Sequence, residues 1–527
     1  MTALELSRLQ FAVVTVYHYL FVPLSISLAT LTAVLQTAAH RAAKRSGAGA
    51  PKAGDRAAKR SGAGDARWER LTPVAGKLLM ITFAVGIVTG LVQEFQFGLS
   101  WSAFARFYGD VFGPTLAVEG MLAFFLEATF LGLWWFGAGR LRPALHLATI
   151  WIVAVGTLIS AYVILAANAF MQNPVAYTLD PDTGRARLGD FTDLLTNPVV
   201  LAAFPHTIAG AFTGGGALLL AIGAYRTWGQ TRRSAARPTP GAGDPDGRWR
   251  LLTRVGAWTT LVSGVAVAGT GDLLGKVIAT VQPMKMAAAE ALYATQAGAP
   301  FSLFAVGLPG EKEPFFSLDV PWLLSFLVTG DPTATVQGID DLQAQYVAQF
   351  GPGDYVPAVP VAYWSFRLMI GFGMLAAAVA AWVLWRTRRG RDLAPGTGLA
   401  GRADRWLLRG LWTVPVLPAL AATAGWLFTE SARQPWLVFG LFRTADGVSP
   451  GLTAGEIAAS LAGFAAVYGV LAVVWVRLVL RVARAAGDDA APAAQDEGDE
   501  ADEAGGTDRA DGTDRAHEAD RVLVPSY

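Results

Sequence analysis

LWTVPVLPALAATAGWLFTESARQPW, residues 411–436, stays apolar long enough to be read as a bilayer crossing and then ends on a carboxylate, Glu430, followed by Arg433 and Trp436. Taken with the residues before it, the run covers about 405–429, enough for a helix through a hydrocarbon core of roughly 30 Å. Tryptophan suits the interface where such a helix emerges. A glutamate at that depth needs a partner or a task. Similar runs occur at about 9–39, 74–99, 114–138, 143–170, 199–225, 251–271, 361–385 and 453–480. The expectation is an all-α polytopic membrane protein with about nine transmembrane helices.

Composition agrees. The chain has 527 residues, 53% of them hydrophobic and 16% charged, and its mean hydropathy is +0.39, too apolar for a soluble globular protein. Its cysteine count of 0 excludes disulfides, cysteine-ligated iron–sulfur clusters, covalent c-type haem and thiolate catalysis. The first residues, MTALELSRLQFAVVTVYHYL, carry Glu5 and Arg8 and continue apolar to about Gln36, so they read as a retained first helix and not as a cleaved signal.

The formal net charge is only +1, but its parts are segregated. Connections 40–72, 139–143, 226–254, 386–409 and the stretch after 476 are rich in Arg and Lys; 100–113, 171–198, 272–360 and 430–452 are not. The positive-inside rule then places the N-terminus outside and the C-terminus in the cytoplasm. A membrane domain is expected over 1–485. Within it, 41–70 is a basic cytoplasmic insertion in which RAAKRSGAG occurs at 41–49 and again at 56–64. The external stretch 272–360 is too long to be a mere connector. The segment 486–527 reads as an acidic, disordered cytoplasmic tail. Lipid is the expected surrounding and no nucleic-acid partner is expected.

Ionisable residues inside spans cost roughly 2.5–3.5 kcal/mol each on insertion scales. Glu94, Glu119, Glu127, Arg367 and Glu430 all fall within or at the edge of expected spans, mostly in the outer half. Glu127 lies about 12 Å deeper than Glu119 by helical rise, like an inward relay step. Of five histidines, His40, His146 and His517 lie at helix ends or in the tail, leaving His18 and His206. His206 and Met369 lie at matched depths of roughly 10–12 Å from the outer ends of their helices. An imidazole and a thioether at one level suit the two axial positions of a low-spin haem, with Arg367 near enough to meet haem propionates. Taken singly, His206 reads equally as a hydrogen-bonded structural histidine, Met369 as core packing, and Glu430 with Arg433 as an interfacial ion pair. The histidines are too few for a haem-copper centre, and the two halves show none of the internal symmetry of a secondary transporter.

SRLQFAVVTVYHYLFVPL, TGLVQEFQFG, GPTLAVEGMLAFFLE, AANAFMQNP, FPHTIAGAF, SFRLMIGFG and GWLFTESARQPW, in this order, resemble the signature stretches of subunit I of the bacterial cytochrome bd quinol oxidases, in the short quinol-loop branch. The resemblance covers about 4–484. It implies a terminal respiratory oxidase that oxidises membrane quinol and reduces dioxygen to water, separating charge across the bacterial plasma (inner) membrane. It implies two haem b groups, one low-spin and one high-spin, and one haem d. By resemblance His206 and Met369 are the axial ligands of the low-spin haem b, with Arg367 close by. His18 and Glu430 are ligands of the high-spin haems, and Glu119 lies by the haem d iron. Trp426 packs between the macrocycles and Arg433 meets propionates. Glu127, with Ser160 and Asn168, resembles the proton route. Lys285 and Glu290, in the quinol loop 272–360, match residues tied to quinol oxidation. A second membrane subunit and a small single-helix accessory subunit are the implied partners. Ala128 and Ala432 depart from the family's common serine and glycine.

Overall fold

The computed structural model describes residues 1–47, 56–236, 244, 247–307, 314–390, 406 and 408–485. The acidic tail and part of the duplicated basic stretch lie outside the described residues. The first crossing is built from α1 (Ala3–Tyr19) and α2 (Val22–Gly47). The chain enters α1 through a capping box between Thr2 and Glu5. Pro23 lacks the N–H that would continue the α-ladder, and the junction closes instead by Leu20 N to Tyr17 O and Phe21 N to His18 O. The single helix expected over 9–39 is therefore two.

Next come α3 (Arg56–Leu99) and a continuous run made of α4 (Ser102–Val118), a π-helical stretch Glu119–Phe124 and α5 (Phe125–Phe136). This corrects the sequence reading, which took 100–113 as a connector. The chain continues through α6 (Pro143–Gln172), the hairpin β1 (Tyr177–Leu179) and β2 (Ala186–Leu188), and α7 (Phe191–Leu195). It then forms α8 (Pro198–Ala236) and α9 (Arg248–Val281). α9 runs past its expected end at 271, carried by an Asp272–Lys276 pair one turn apart at 2.7 Å.

The stretch 272–360 is folded among its described residues. It holds α10 (Pro283–Glu290), β3 (Gln296–Ala297), β4 (Phe301–Val306), β5 (Phe316–Val320), α11 (Leu323–Thr329), β6 (Thr335–Val336) and α12 (Ile339–Phe350). β3 pairs with β6 and β4 with β5, both antiparallel. The chain returns through α13 (Val359–Arg386), α14 (Val416–Ser431), the hairpin β7 (Trp436–Val438) and β8 (Phe442–Arg443), and α15 (Ala454–Ala485).

Among the described residues, 8 helical spans are long and apolar enough to cross a membrane, against about nine expected. The stretch that falls short is 405–429. Pro415 and Pro418 delay its α-helix to Val416, after a 3-10 turn at Leu411–Thr413, and leave 16 residues.

Two antiparallel helix pairs position the site. α8 and α9 touch backbone to backbone: a Cβ on Gly256 would lie 2.3 Å from Leu220 N, and one on Gly216 would lie 2.7 Å from Thr260 N. Without a hydrophobic drive between helices in lipid, such close approach supplies the packing that holds them. The same register brings Gly271 of α9 against His206 of α8. In the second pair, Met369 meets Gly425 and Phe366 meets Phe428, so α14 runs antiparallel to α13. At these ends, α10 and α12 pack through Met284, Leu342 and Tyr346, and the loop after α12 through Tyr355, onto Phe428 and Trp436.

Candidate functional site

His18 lies near the end of α1, facing α3. Its Nδ1 is 2.9 Å from the Thr89 hydroxyl. That hydroxyl has one proton, and it is directed at backbone carbonyls of its own helix, Val85 and Gly86, each at 3.0 Å. Thr89 therefore accepts from Nδ1–H, which leaves Nε2 with its lone pair. A Cβ on Gly90 would lie 3.1 Å from His18 Cε1 and 3.6 Å from Nε2, so this edge of the ring is kept clear by a glycine.

His206 on α8 repeats the arrangement. Its Nδ1 is 3.4 Å from the Thr270 hydroxyl, whose proton goes to Ala266 O at 2.7 Å. A Cβ on Gly271 would lie 3.2 Å from His206 Cε1. Met369 on α13 also faces a glycine: a Cβ on Gly425 would lie 3.0 Å from its sulfur.

The carboxylates fall into two groups. Glu119, at the start of the π-helical stretch, accepts from Ser160 of α6 at 3.3 Å. Glu127 is buried, with Oε1 lacking a partner in the protein, and its Cγ would be 2.9 Å from a Cβ on Gly156. Glu430, at the C-terminal end of α14, is ion-paired with Arg433 and accepts from Asn168 Nδ2 at 3.3 Å. Asn168 thus sits by Glu430, whereas the sequence reading grouped it with Glu127. Trp426 meets Tyr19 edge to face, with centroids 5.2 Å apart. Glu94, counted among the costly polar groups, is exposed on α3.

The two candidate residues of the 272–360 stretch diverge on α10. Lys285 and Glu290, five residues apart on α10, are turned about 140° from each other. Glu290 faces α13 and β4: Arg367 grips it at 2.6 and 3.2 Å, and Ser302 N donates to it at 3.3 Å. Arg367 also donates to Ser302 O at 2.5 Å and lies over the rings of Phe301 and Tyr363, at 4.5 and 4.6 Å. The Ser302 hydroxyl and Tyr363 OH are 2.9 Å apart. Burial pushes the Glu290 carboxyl up to about 7 against the pull of Arg367. Lys285 points the other way and donates to Gln172 Oε1 at 2.5 Å. Burial brings its ammonium down to about 7, helped by the Arg433 charge and opposed by Glu430. Arg367, expected to face haem propionates, is thus engaged with Glu290.

Thr89, Thr270, Ser302, Tyr363 and Gln172 carry no signal of their own in the sequence. Gln172 does lie in the quoted AANAFMQNP stretch.

A sequence profile described as cytochrome bd terminal oxidase subunit I matches residues 6–487. The chain belongs to this family. It is 36% identical over 482 residues to the cytochrome bd ubiquinol oxidase subunit 1 of Bacillus subtilis (strain 168), covering 91% of this chain and 93% of that one. To the cytochrome bd-II ubiquinol oxidase subunit 1 of Escherichia coli (strain K12) it is 32% identical over 543 residues, with 91% and 96% covered. The solved bd oxidase of Geobacillus thermodenitrificans superposes with a TM-score of 0.75 at 27% identity, covering 92% of this chain and 98% of that one.

As cytochrome bd subunit I, the protein is a multi-pass membrane component of a bacterial terminal respiratory oxidase, a quinol:oxygen oxidoreductase of more than one subunit. The family implies haem cofactors, and the residues present fit them. A haem-ligating histidine needs one nitrogen free and the other held by a partner that fixes the tautomer. Both His18 and His206 have this arrangement, and glycines keep bulk away from His18, His206 and Met369.

Proposed function

We propose that His206 and Met369 hold a low-spin haem b, that His18 and Glu430 ligate the two high-spin haems, one b and one d, and that Glu119 lies by the haem d iron. Bound haems supply the electron transfer and the oxygen chemistry; the chain orients them and handles protons. The observation that carries this reading is the pair of histidines on separate helices, each with Nδ1 on a threonine whose own proton is engaged elsewhere.

At the external face, Arg367 and Glu290 form the quinol-facing pair. A buried carboxylate beside a fixed guanidinium accepts the proton that quinol loses on oxidation, and Tyr363 and Ser302 hold the pair in place. From the cytoplasmic side, Glu127 and then Glu119 with Ser160 carry protons toward the oxygen site. Asn168 is bonded to Glu430 and orients that ligand. With quinol protons released outside and oxygen's protons drawn from inside, charge is separated without a pump. The N-terminus lies outside and the C-terminus in the cytoplasm, α14 being the ninth crossing; its antiparallel packing on α13 supports this. A second membrane subunit and a small single-helix subunit complete the enzyme.

His206→Ala in the purified oxidase tests the assignment. The low-spin haem signal should vanish while the high-spin signals remain, and an unchanged absorption spectrum would reject it.

A further inference from the structure

The hairpin of β4 and β5 has two unlike sides. Side chains alternate along a strand, so Phe316 and Leu318 of β5 lie on one side and Ser317 and Asp319 on the other. All four are exposed. The register puts Leu318 opposite Phe304 of β4, and the rings of Phe304 and Phe316 meet edge to face with centroids 6.4 Å apart. On the polar side the Ser317 hydroxyl donates to Asp319 at 2.7 Å. The register shifts between Ser302 and Phe304. A bulge of this kind re-aims side chains. Here Ser302 turns inward to Glu290, Arg367 and Tyr363, while Phe304 turns outward.

The apolar side is bare: Phe304, Phe316 and Leu318 are 42%, 53% and 55% exposed. Large apolar side chains exposed side by side mark a surface that something covers. The neighbouring helix indicates what. Val361, Trp364, Leu368 and Leu375 of α13 are all exposed, and their spacing of i, i+3, i+7 and i+14 puts them on one face. This helix is long and apolar enough to cross a membrane, and in a multi-pass protein such a stripe faces lipid. Phe304 lands on the stripe, its ring edge to face with Trp364 at 5.2 Å. The apolar side of the hairpin therefore prolongs the lipid-facing stripe at the N-terminal end of α13. Among the described residues no charged side chain interrupts it. An element with one polar and one apolar side, carrying aromatic rings at the end of a crossing helix, is built for the membrane interface.

We propose that the β4–β5 hairpin lies in the headgroup boundary of the bilayer, with Phe304, Phe316 and Leu318 against lipid acyl chains. Seated there, it holds Ser302, and through it the Arg367–Glu290 pair, at the level where a lipid-borne substrate arrives. The seat follows from the hairpin and α13; its consequence for quinol rests on the reading of Arg367 and Glu290 as the quinol-facing pair.

The test uses the purified oxidase complex in lipid nanodiscs. The chain has a cysteine count of 0, so Phe316→Cys, Ser317→Cys and Leu318→Cys each place one fluorescent label in it, with the labelled unsubstituted complex as background. The quenchers are a lipid carrying a nitroxide near its headgroup and iodide in the water. Labels at 316 and 318 should be quenched by the nitroxide lipid and lose most iodide quenching, and the label at 317 should show the reverse. Iodide quenching as strong at 316 and 318 as at 317 would overturn the seat, because that side then lies in water. Shielding of 316 and 318 from both quenchers would overturn lipid in favour of a partner subunit. Phe316→Glu combined with Leu318→Glu should raise quinol KM about threefold or more while haem content is kept. Phe316→Ser should move KM in the same direction and guards against a double variant that fails to assemble. An unchanged KM in both would overturn the positioning role. Unchanged quinol kinetics in Glu290→Gln as well would overturn the quinol reading instead, and the quenching data then decide the seat alone.

Discussion

At the scale of residues, the protonation of two imidazoles is set by threonines one helix away. Thr89 accepts from His18 because its own proton is directed at Val85 O and Gly86 O. Thr89→Val removes the acceptor and keeps the shape, freeing the ring to take the wrong tautomer. Loss of such a supporting contact lowers affinity for the bound metal group by about 10–100-fold. The expected result is selective loss of one high-spin haem on purification, measured as haem per protein, with the low-spin signal kept. Glu290 gives a pH signature. Its carboxyl is pushed up to about 7 by burial, and only the deprotonated form accepts a proton, so quinol oxidation at low substrate should rise as pH increases through about 7. Glu290→Gln should be slow and flat over that range; a wild-type rate that falls across it would contradict the assignment. The depths of His206 and Met369 along their helices were legible in the sequence. Their threonine and glycine partners were not, since which helices touch is decided only by tertiary packing.

At the scale of elements, the third crossing departs from a regular helix where its candidate carboxylates lie. The π-helical stretch Glu119–Phe124 contains one candidate carboxylate and immediately precedes the turn that carries Glu127. Wide turns of this kind act as inserted residues and often mark functional sites. Deleting Gly120 should remove the inserted residue and return the segment to an α-helix in which Glu127 keeps its face toward Gly156 while the wide turn at Glu119 is lost. Oxygen consumption should be lost while the haem spectrum is retained; full activity would show that the wide turn is dispensable. α10 teaches a related lesson about legibility. Lys285 and Glu290 look like a pair in the sequence, yet five residues of helix put them on different sides, one toward Gln172 and the other toward Arg367. The short strand β4 gave no sequence signal of its own; Ser302 and Phe304 hold it to α10 and α13.

At the scale of the whole molecule, the apolar runs identified the spans because a crossing helix must be long and continuous. Their ends were less legible. α4 and the last turns of α9 extend their helices into sequences that read as connectors, and the prolines of 411–418 shortened the helix before Glu430. What unites the parts is the proposed haem site, to which α1, α8, α13 and α14 supply His18, His206, Met369 and Glu430. The most direct test is a reduced-minus-oxidised absorption spectrum of the purified oxidase. The account predicts a low-spin b-type band together with a chlorin-type band from haem d; a spectrum without haem bands would contradict it.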